Sequence, residues 1–501
     1  MPDLPLDQEA AQKAIGYFDN LRLPDVSGHP LLKDAAGDWF REIVGALFGS
    51  IEGENRRVRE VFALVPKKSG KTSYGAALML VGLLLNSRPR AEFLLIGPTK
   101  TIADLAFEQA AGMVDCDPDG YLQRILKVTP HIREIEYRKT KAKLMIKAFD
   151  SSVLTGVKPA GVLIDELHEI SRVSSAARII GQVRGGLLPN PEAFLVFITT
   201  QSDQPPAGAF KAELDTARAI RDGESKGRML PVIYEFPEHI ANSKGFTETP
   251  TWYDSKLWHM VTPNDGKSIT VARLEEDFAT AKAKGLQEIV RWASQHLNVQ
   301  IGTALRSDGW AGAIYWDRGI EPGLTLNDIL GTCEAITIGI DGGGLDDLLG
   351  IAVIGREKVT HRWLGWGHAF ISPEGMSRRD ANAPRYHDFE RDGDLTIVAE
   401  LPDDVSAVVE IVERVRKADL LCEVGIDPMG VGIIIDALAE IGVTQDSGQL
   451  VGIRQGIALM GAAKSIERKL VDGTFRHGGQ PLMSWCAGNC KLVATPTAAR
   501  V

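Results

Sequence analysis

Five short apolar runs mark the first half of the chain, at residues 58–65, 93–96, 144–148, 162–164 and 194–198. Each is continuous rather than alternating, the pattern of parallel strands buried on both faces. Helical patterns fall between them, as at 101–112, so residues 1 to about 235 read as a doubly wound α/β sheet. From 236 to about 325 the pattern changes. Pro237, Pro250 and Pro263 interrupt it, and a polar helix pattern runs over 271–295, which predicts a lid or connecting region. A second α/β pattern opens at 335–340, pairs with 350–354 and returns at 420–426, placing a domain boundary near 325.

Composition narrows the class. The 501 residues exceed one ordinary core, so two or three domains are expected. The proportions, 44% hydrophobic and 24% charged, are those of a soluble globular protein. The longest apolar run, 76–85, is half the roughly 20 residues that span a bilayer, so it reads as a buried helix and no membrane partner is expected. The acidic N-terminus lacks a secretory pattern, and five scattered cysteines suit a reducing cytoplasm. A net charge of −10 argues against a static DNA coat. It is compatible with a motor that grips phosphates through a local patch and releases them.

Chemistry enters at Val65-Pro-Lys-Lys-Ser-Gly-Lys-Thr72, which follows a strand and opens a helix. That context suits a phosphate-binding loop: N–H groups of Lys67, Lys68, Ser69 and Gly70 would face phosphates at the positive end of the helix dipole. Lys71 would reach the β- and γ-phosphates of ATP and the Thr72 hydroxyl would hold Mg²⁺. The usual first glycine is replaced by Val65. Ninety-four residues after Lys71, the strand Gly161-Val-Leu-Ile ends in Asp165-Glu166, where Asp165 would hold the Mg²⁺ shell and Glu166 polarise the attacking water. The run 194–198 ends in Thr199-Thr200-Gln201, whose hydroxyls and amide could sense the γ-phosphate and couple hydrolysis to movement.

A second acidic pair lies downstream. Ile338-Gly-Ile-Asp341-Gly-Gly-Gly and Leu420-Leu-Cys-Glu-Val-Gly-Ile-Asp427-Pro each end an apolar strand in an acid, 86 residues apart. A ribonuclease-H-like fold brings two such strand ends side by side, where Asp341 and Asp427 could hold two Mg²⁺ or Mn²⁺ ions and cut a phosphodiester. The string G-I-D-G-G-G also resembles the first phosphate loop of sugar kinases, although Leu345-Asp346-Asp347 stands where those kinases carry Thr-Lys. His477, Cys486 and Cys490 fit no common zinc spacing and read as a histidine among buried free cysteines.

Together these motifs resemble the large terminase subunits of tailed bacteriophages. The loop Pro66-Lys-Lys-Ser-Gly-Lys71 is similar to the family's glycine-poor phosphate loop, with Lys67 or Lys68 where an arginine is frequent. Asp165-Glu-Leu-His168 and Ile198-Thr-Thr200 are similar to its acidic and coupling motifs. Trp39-Phe40 stands where the family has an aromatic-glutamine pair on adenine, but without the glutamine. Arg454-Gln-Gly456, Gly473 to Pro481 and Trp485 to Asn489 resemble the end of the family's nuclease domain. The family's third metal-binding aspartate would follow in a last helix; the chain stops at Val501, so a missing helix and weak cutting are expected, with Asp346 or Asp347 as candidate assistants. The resemblance implies an ATP-driven motor that moves double-stranded DNA into a procapsid and cuts concatemers. It implies a homo-oligomeric ring on the portal protein, a small terminase subunit as partner, the host bacterial cytoplasm as location, and an arginine donated by a neighbour, with Arg178 and Arg184 as candidates. The rival readings are a DExH-type helicase or repair ATPase with an attached nuclease, which would carry a second RecA-like domain, and an inactive prophage remnant.

Overall fold

The structure is a computed structural model that describes residues 4–53, 55–150, 158–241, 250–300, 310, 312–344, 347–379, 382–427, 432–453, 457–490, 493–494 and 499–500. It divides into two compact units, Met1–Lys244 with Glu248–Ile301, and Gly245–Thr247 with Gly302–Val501. The stretch 236–325 expected to connect two domains is thus shared, its part up to Ile301 belonging to the first unit apart from Gly245–Thr247.

In the first unit, α1 (Gln8–Asn20) and α2 (Asp38–Phe48) precede β1 (Glu60–Leu64) and α3 (Lys71–Leu85). There follow β2 (Glu92–Gly97), α4 (Lys100–Asp115), β3 (Leu126–Thr129), β4 (Glu134–Tyr137), β5 (Ala142–Ala148), β6 (Gly161–Asp165), α5 (Ala176–Leu187), β7 (Phe194–Thr199), α6 (Gly208–Arg221) and β8 (Met229–Ile233). All five runs read as strands are strands. They form one sheet of order β8-β1-β7-β6-β2-β5-β4-β3, parallel from β8 through β5 and antiparallel at β4 and β3. From Tyr74 to Leu84 every residue of α3 is buried across the sheet, as the apolar run 76–85 predicts.

Two features depart from the expected pattern. The antiparallel strands β3 and β4 were not visible as runs, because one face alternates Lys127, Glu136 and Lys143 across the three edge strands while Val128, Ile135 and Leu144 face inward. The polar helix pattern 271–295 is two helices, α7 (Val271–Lys284) and α8 (Leu286–Leu297), broken at Gly285 with φ 101°. They fold over their own small core of Trp252, Trp258, Phe278 and Trp292.

The second unit holds α9 (Leu326–Thr332), β9 (Cys333–Gly342), β10 (Leu349–Glu357), β11 (Trp363–Ile371), α10 (Ala383–Arg391), β12 (Leu395–Ile397), α11 (Asp403–Lys417), β13 (Leu421–Ile426), α12 (Gly432–Glu440), β14 (Leu450–Gly452), α13 (Ile457–Val471), β15 (Phe475–His477) and α14 (Pro481–Asn489). Its sheet runs β12-β11-β10-β9-β13-β14, with β9, β10 and β11 an antiparallel meander and β13 and β14 parallel to β9. One face packs Ile336, Ile338 and Ile340 under α11 and α12. A helicase would need a second RecA-like parallel sheet here. This mixed order is instead that of the ribonuclease-H-like expectation.

Candidate nucleotide and metal sites

β1 delivers the chain to the phosphate loop. Val65, in the place of the usual glycine, simply prolongs the sheet: its N–H donates to Thr199 O at 2.9 Å, so no left-handed backbone is required there. The turn is made later, where Lys68 (φ 69°) and Gly70 (φ 73°) are both left-handed. A β-carbon on Gly70 would lie 2.5 Å from the Tyr74 ring, so only glycine fits.

The loop meets the end of β6. Thr72 Oγ1 donates to Asp165 Oδ2 at 2.8 Å, and Lys71 Nζ lies 3.4 Å from Glu166 Oε1. Lys71 is only 6% exposed, so its ammonium is held inside the protein although it opens a helix. Burial, then the charge of Glu166, pushes the Asp165 carboxyl up to about 6, with Lys71 and Thr72 opposing. Glu166 sits in a left-handed conformation (φ 54°), and its N–H reaches both Ile198 O at 2.8 Å and Asp165 Oδ1 at 2.9 Å.

Thr199 joins this group through a residue to which no role was assigned from sequence. The His168 N–H donates to Thr199 Oγ1 at 3.1 Å, and His168 Nδ1 lies 3.0 Å from the same oxygen and 3.3 Å from Glu166 Oε2. Because Thr199 spends its own hydrogen on Thr200 O, Nδ1 is the donor in that contact. The string Asp165-Glu-Leu-His168 held the available signal. Ser69 Oγ, Glu166 Oε2, Thr200 Oγ1 and Gln201 Nε2 are buried without a hydrogen bond among the described residues, Glu166 Oε2 having only its 3.3 Å approach to His168 Nδ1. Four such atoms around one lysine-bearing loop suit a polyanionic ligand with its cation, since buried polar groups are otherwise satisfied.

Trp39 and Phe40 are buried in an aromatic cluster with Tyr74, and the Trp39 indole N–H donates to Asn264 Oδ1 at 3.1 Å. Arg184 is held between Glu60 and Glu213, with Nη2 2.7 Å from each carboxylate. That arginine is therefore committed within its own unit, whereas Arg178 is exposed on α5 with no ion pair among the described residues.

In the second unit, β9 and β13 run parallel with Ile340 paired to Ile426. Asp341 and Asp427 each follow by one residue, so they stand side by side at neighbouring strand ends, about 4.8 Å apart by strand spacing, on the sheet face opposite Ile340. Asp341 is exposed and Asp427 half-buried. Asp341 Oδ1 accepts from the Gly342 N–H at 3.0 Å, and a β-carbon on Gly342 (φ 87°) would fall 1.9 Å from Leu348 O. Among the described residues no group of three or more metal-ligating side chains assembles. Asp347 is engaged by Arg379 at 3.3 Å, while Asp346 and the Arg454-Gln455-Gly456 motif lie outside the described residues. His477 is buried with both nitrogens in use, Nε2 2.9 Å from Trp316 O and Nδ1 accepting from the Gly479 N–H at 3.1 Å. No zinc site forms around it among the described residues. Cys486 and Cys490 are free; Cys486 is exposed rather than buried, on the outer side of α14.

Comparison with known proteins bears on both units. Residues 38–217 match the family model described as terminase large subunit, ATPase domain, and residues 247–496 the terminase large subunit, endonuclease domain. The second match leaves the sugar-kinase reading of Asp341 without support. Protein YmfN of Escherichia coli strain K12 is 23% identical over 344 residues, covering 67% of this chain and 70% of that protein. Among solved structures, the HK97 bacteriophage large terminase aligns over 96% of this chain and 92% of its own at 17% identity, with a TM-score of 0.49. A large terminase from a thermophilic bacteriophage aligns over 94% of this chain and 88% of its own at 11% identity, with a TM-score of 0.33. With an ATPase model on the nucleotide-loop sheet and an endonuclease model spanning the paired aspartates, the chain belongs to the terminase large subunit family.

Proposed function

We propose that this chain uses ATP hydrolysis to drive double-stranded DNA into a procapsid and cuts the concatemer with a divalent-metal nuclease. The observation that carries the motor reading is the convergence of Lys71, Thr72, Asp165 and Glu166 amid buried polar atoms without hydrogen bonds among the described residues. Lys67, Lys68, Ser69, Gly70 and Lys71 would cradle the phosphates of ATP, and Thr72 and Asp165 would hold its Mg²⁺. The cation supplies neutralisation of the phosphate charge. Glu166 would orient the attacking water and accept its proton, released for that task when Lys71 turns to the phosphates. Thr199 and Thr200 would carry the nucleotide state onward, since Thr199 already touches His168 beside Glu166. Asp341 and Asp427 would hold the Mg²⁺ or Mn²⁺ of the nuclease.

DNA contact is assigned to the sheet edge. Residues 124–147 carry eight Lys or Arg against two Glu in a chain of net charge −10. Lys141 and Lys143 pair with Glu136 and Glu134, and Arg133 with Asp104. Arg124, Arg138 and Lys139 have no ion pair among the described residues. The Arg138 N–H bonds Ile125 O at 2.9 Å and the Arg90 N–H bonds Thr140 O at 2.8 Å, which gathers these cations at one end of the hairpin. Phosphate contacts of this kind are sequence-tolerant and reversible. A ring on the portal protein, fed by a small terminase subunit, completes the reading.

The test is DNase protection of linear DNA by procapsids bearing portal, with ATP and this chain. Protection that requires ATP supports the motor. Unwinding of a tailed duplex without protection would transfer the ATPase to helicase work.

A further inference from the structure

We propose that Asn264 and Ser268 are positioning residues for the phosphate loop, holding Lys68 in the left-handed conformation that aims Ser69 to Lys71 at a nucleotide. The inference rests on the nucleotide-site reading given above.

Asn264 is fully buried and uses every hydrogen-bonding position of its amide. Its Oδ1 accepts from the Gly37 N–H and the Trp39 Nε1–H, each at 3.1 Å, and both partners can only donate, which fixes the orientation of the amide. Its Nδ2 donates to Tyr74 Oη at 2.9 Å and to Ser268 Oγ at 2.6 Å. Ser268 in turn donates to the carbonyl oxygen of Lys68. One amide therefore ties the segment before α2, the helix behind the loop and the loop itself to the 264–268 turn.

The loop needs that tie. Lys68 carries a β-carbon in a region of backbone space that such residues avoid, so surrounding contacts must hold it there. Its flank is held by the same part of the chain, since the Lys67 N–H donates to Gln295 O at 2.8 Å. The Tyr74 ring, oriented by Asn264, fills the space where a side chain on Gly70 would stand. The aromatic-glutamine pair expected near Trp39 lacks its glutamine, and the amide that Trp39 meets comes from Asn264, 225 residues away in sequence. All four of that amide's bonds are spent within the protein, so it positions and does not touch the ligand.

The experiment compares Ser268→Ala, Ser268→Thr and Glu166→Gln, reading KM and kcat for ATP, Kd for a fluorescent ATP analogue, and Tm without nucleotide. Ser268 is exposed, so water can replace its hydroxyl beside the Asn264 amide and Tm without nucleotide should hold. Removing one neutral hydrogen bond should raise both Kd and KM about three- to tenfold, with kcat little changed, and Ser268→Thr should restore both. Unchanged Kd and KM in Ser268→Ala would overturn the inference, and so would a fall in Tm that accompanies the weaker binding. Glu166→Gln separates the two layers: if it stops hydrolysis while Ser268→Ala is silent, the positioning role alone fails. If Glu166→Gln hydrolyses normally, the site reading fails and takes this role with it.

Discussion

The ammonium of Lys71 lies 3.4 Å from the carboxylate of Glu166, and both side chains are largely buried. Each therefore compensates the other in the nucleotide-free protein. Removing one partner of such a pair leaves an uncompensated buried charge, which costs more than the pair itself contributes.

Lys71→Ala should accordingly do two things at once. ATP hydrolysis should vanish, and the nucleotide-free protein should lose stability on the order of 3 kcal/mol, visible as a lower Tm. Lys71→Ala combined with Glu166→Gln should recover part of that stability while remaining inactive. Glu166→Gln alone should bind ATP and turn over at least about a hundredfold more slowly. A Lys71→Ala protein with normal turnover would dismantle the site.

His296 offers a pH test. Burial, opposed by Asp277 and reinforced by Lys67, Lys68 and Lys71, holds its imidazole down at about 4. Because the unfolded chain takes up a proton near 6.5 and the folded one does not until about 4, stability is full above that range and falls as pH drops through it. The loss should be on the order of 3 kcal/mol across the window. Tm measured at pH 7.5 and pH 4.5 should fall less in His296→Gln than in the unaltered protein; equal falls would refute the assignment.

Asp341→Ala and Asp427→Ala should each remove divalent-metal-dependent cleavage of plasmid DNA and weaken Mn²⁺ binding measured by calorimetry, with ATP turnover unchanged. Cleavage that persists in both variants would remove these carboxylates from the nuclease.

Gly342→Ala tests the turn that follows Asp341. Its β-carbon has no room beside Leu348 O and its φ of 87° suits glycine. The substitution should destabilise the second unit by at least about 2 kcal/mol and abolish cleavage. A variant with normal Tm and normal cutting would show that the turn is dispensable.

Reversing Arg138 and Lys139 together to glutamate should weaken DNA binding without lowering Tm, because both are exposed. The slope of log affinity against log salt should flatten by about 0.9 for each phosphate no longer neutralised. An unchanged slope would place the DNA elsewhere.

Much of this was written along the chain because the relevant physics is local. A strand reads as a short apolar run, unbroken where both faces are buried, and the acid that ends it stands at the sheet edge. That is why the strand-end positions of Asp165, Asp341 and Asp427 could be read in advance, and why the loop 65–72 could be placed between a strand and a helix. The apolar run 76–85 likewise declared a helix with no solvent face. Edge strands with a polar face leave a weaker trace, so β3 and β4 were invisible. The break at Gly285 depends on a backbone angle that periodicity does not report. What only tertiary packing decided was who meets whom across long separations. Ser268 reaches Lys68 over 200 residues, Asn264 meets Trp39 over 225, and Arg184 is held by Glu60 and Glu213. Hydrogen bonds and ion pairs are short-ranged in space but indifferent to sequence distance, so a side chain's burial and its partners become definite only once the sheet has folded.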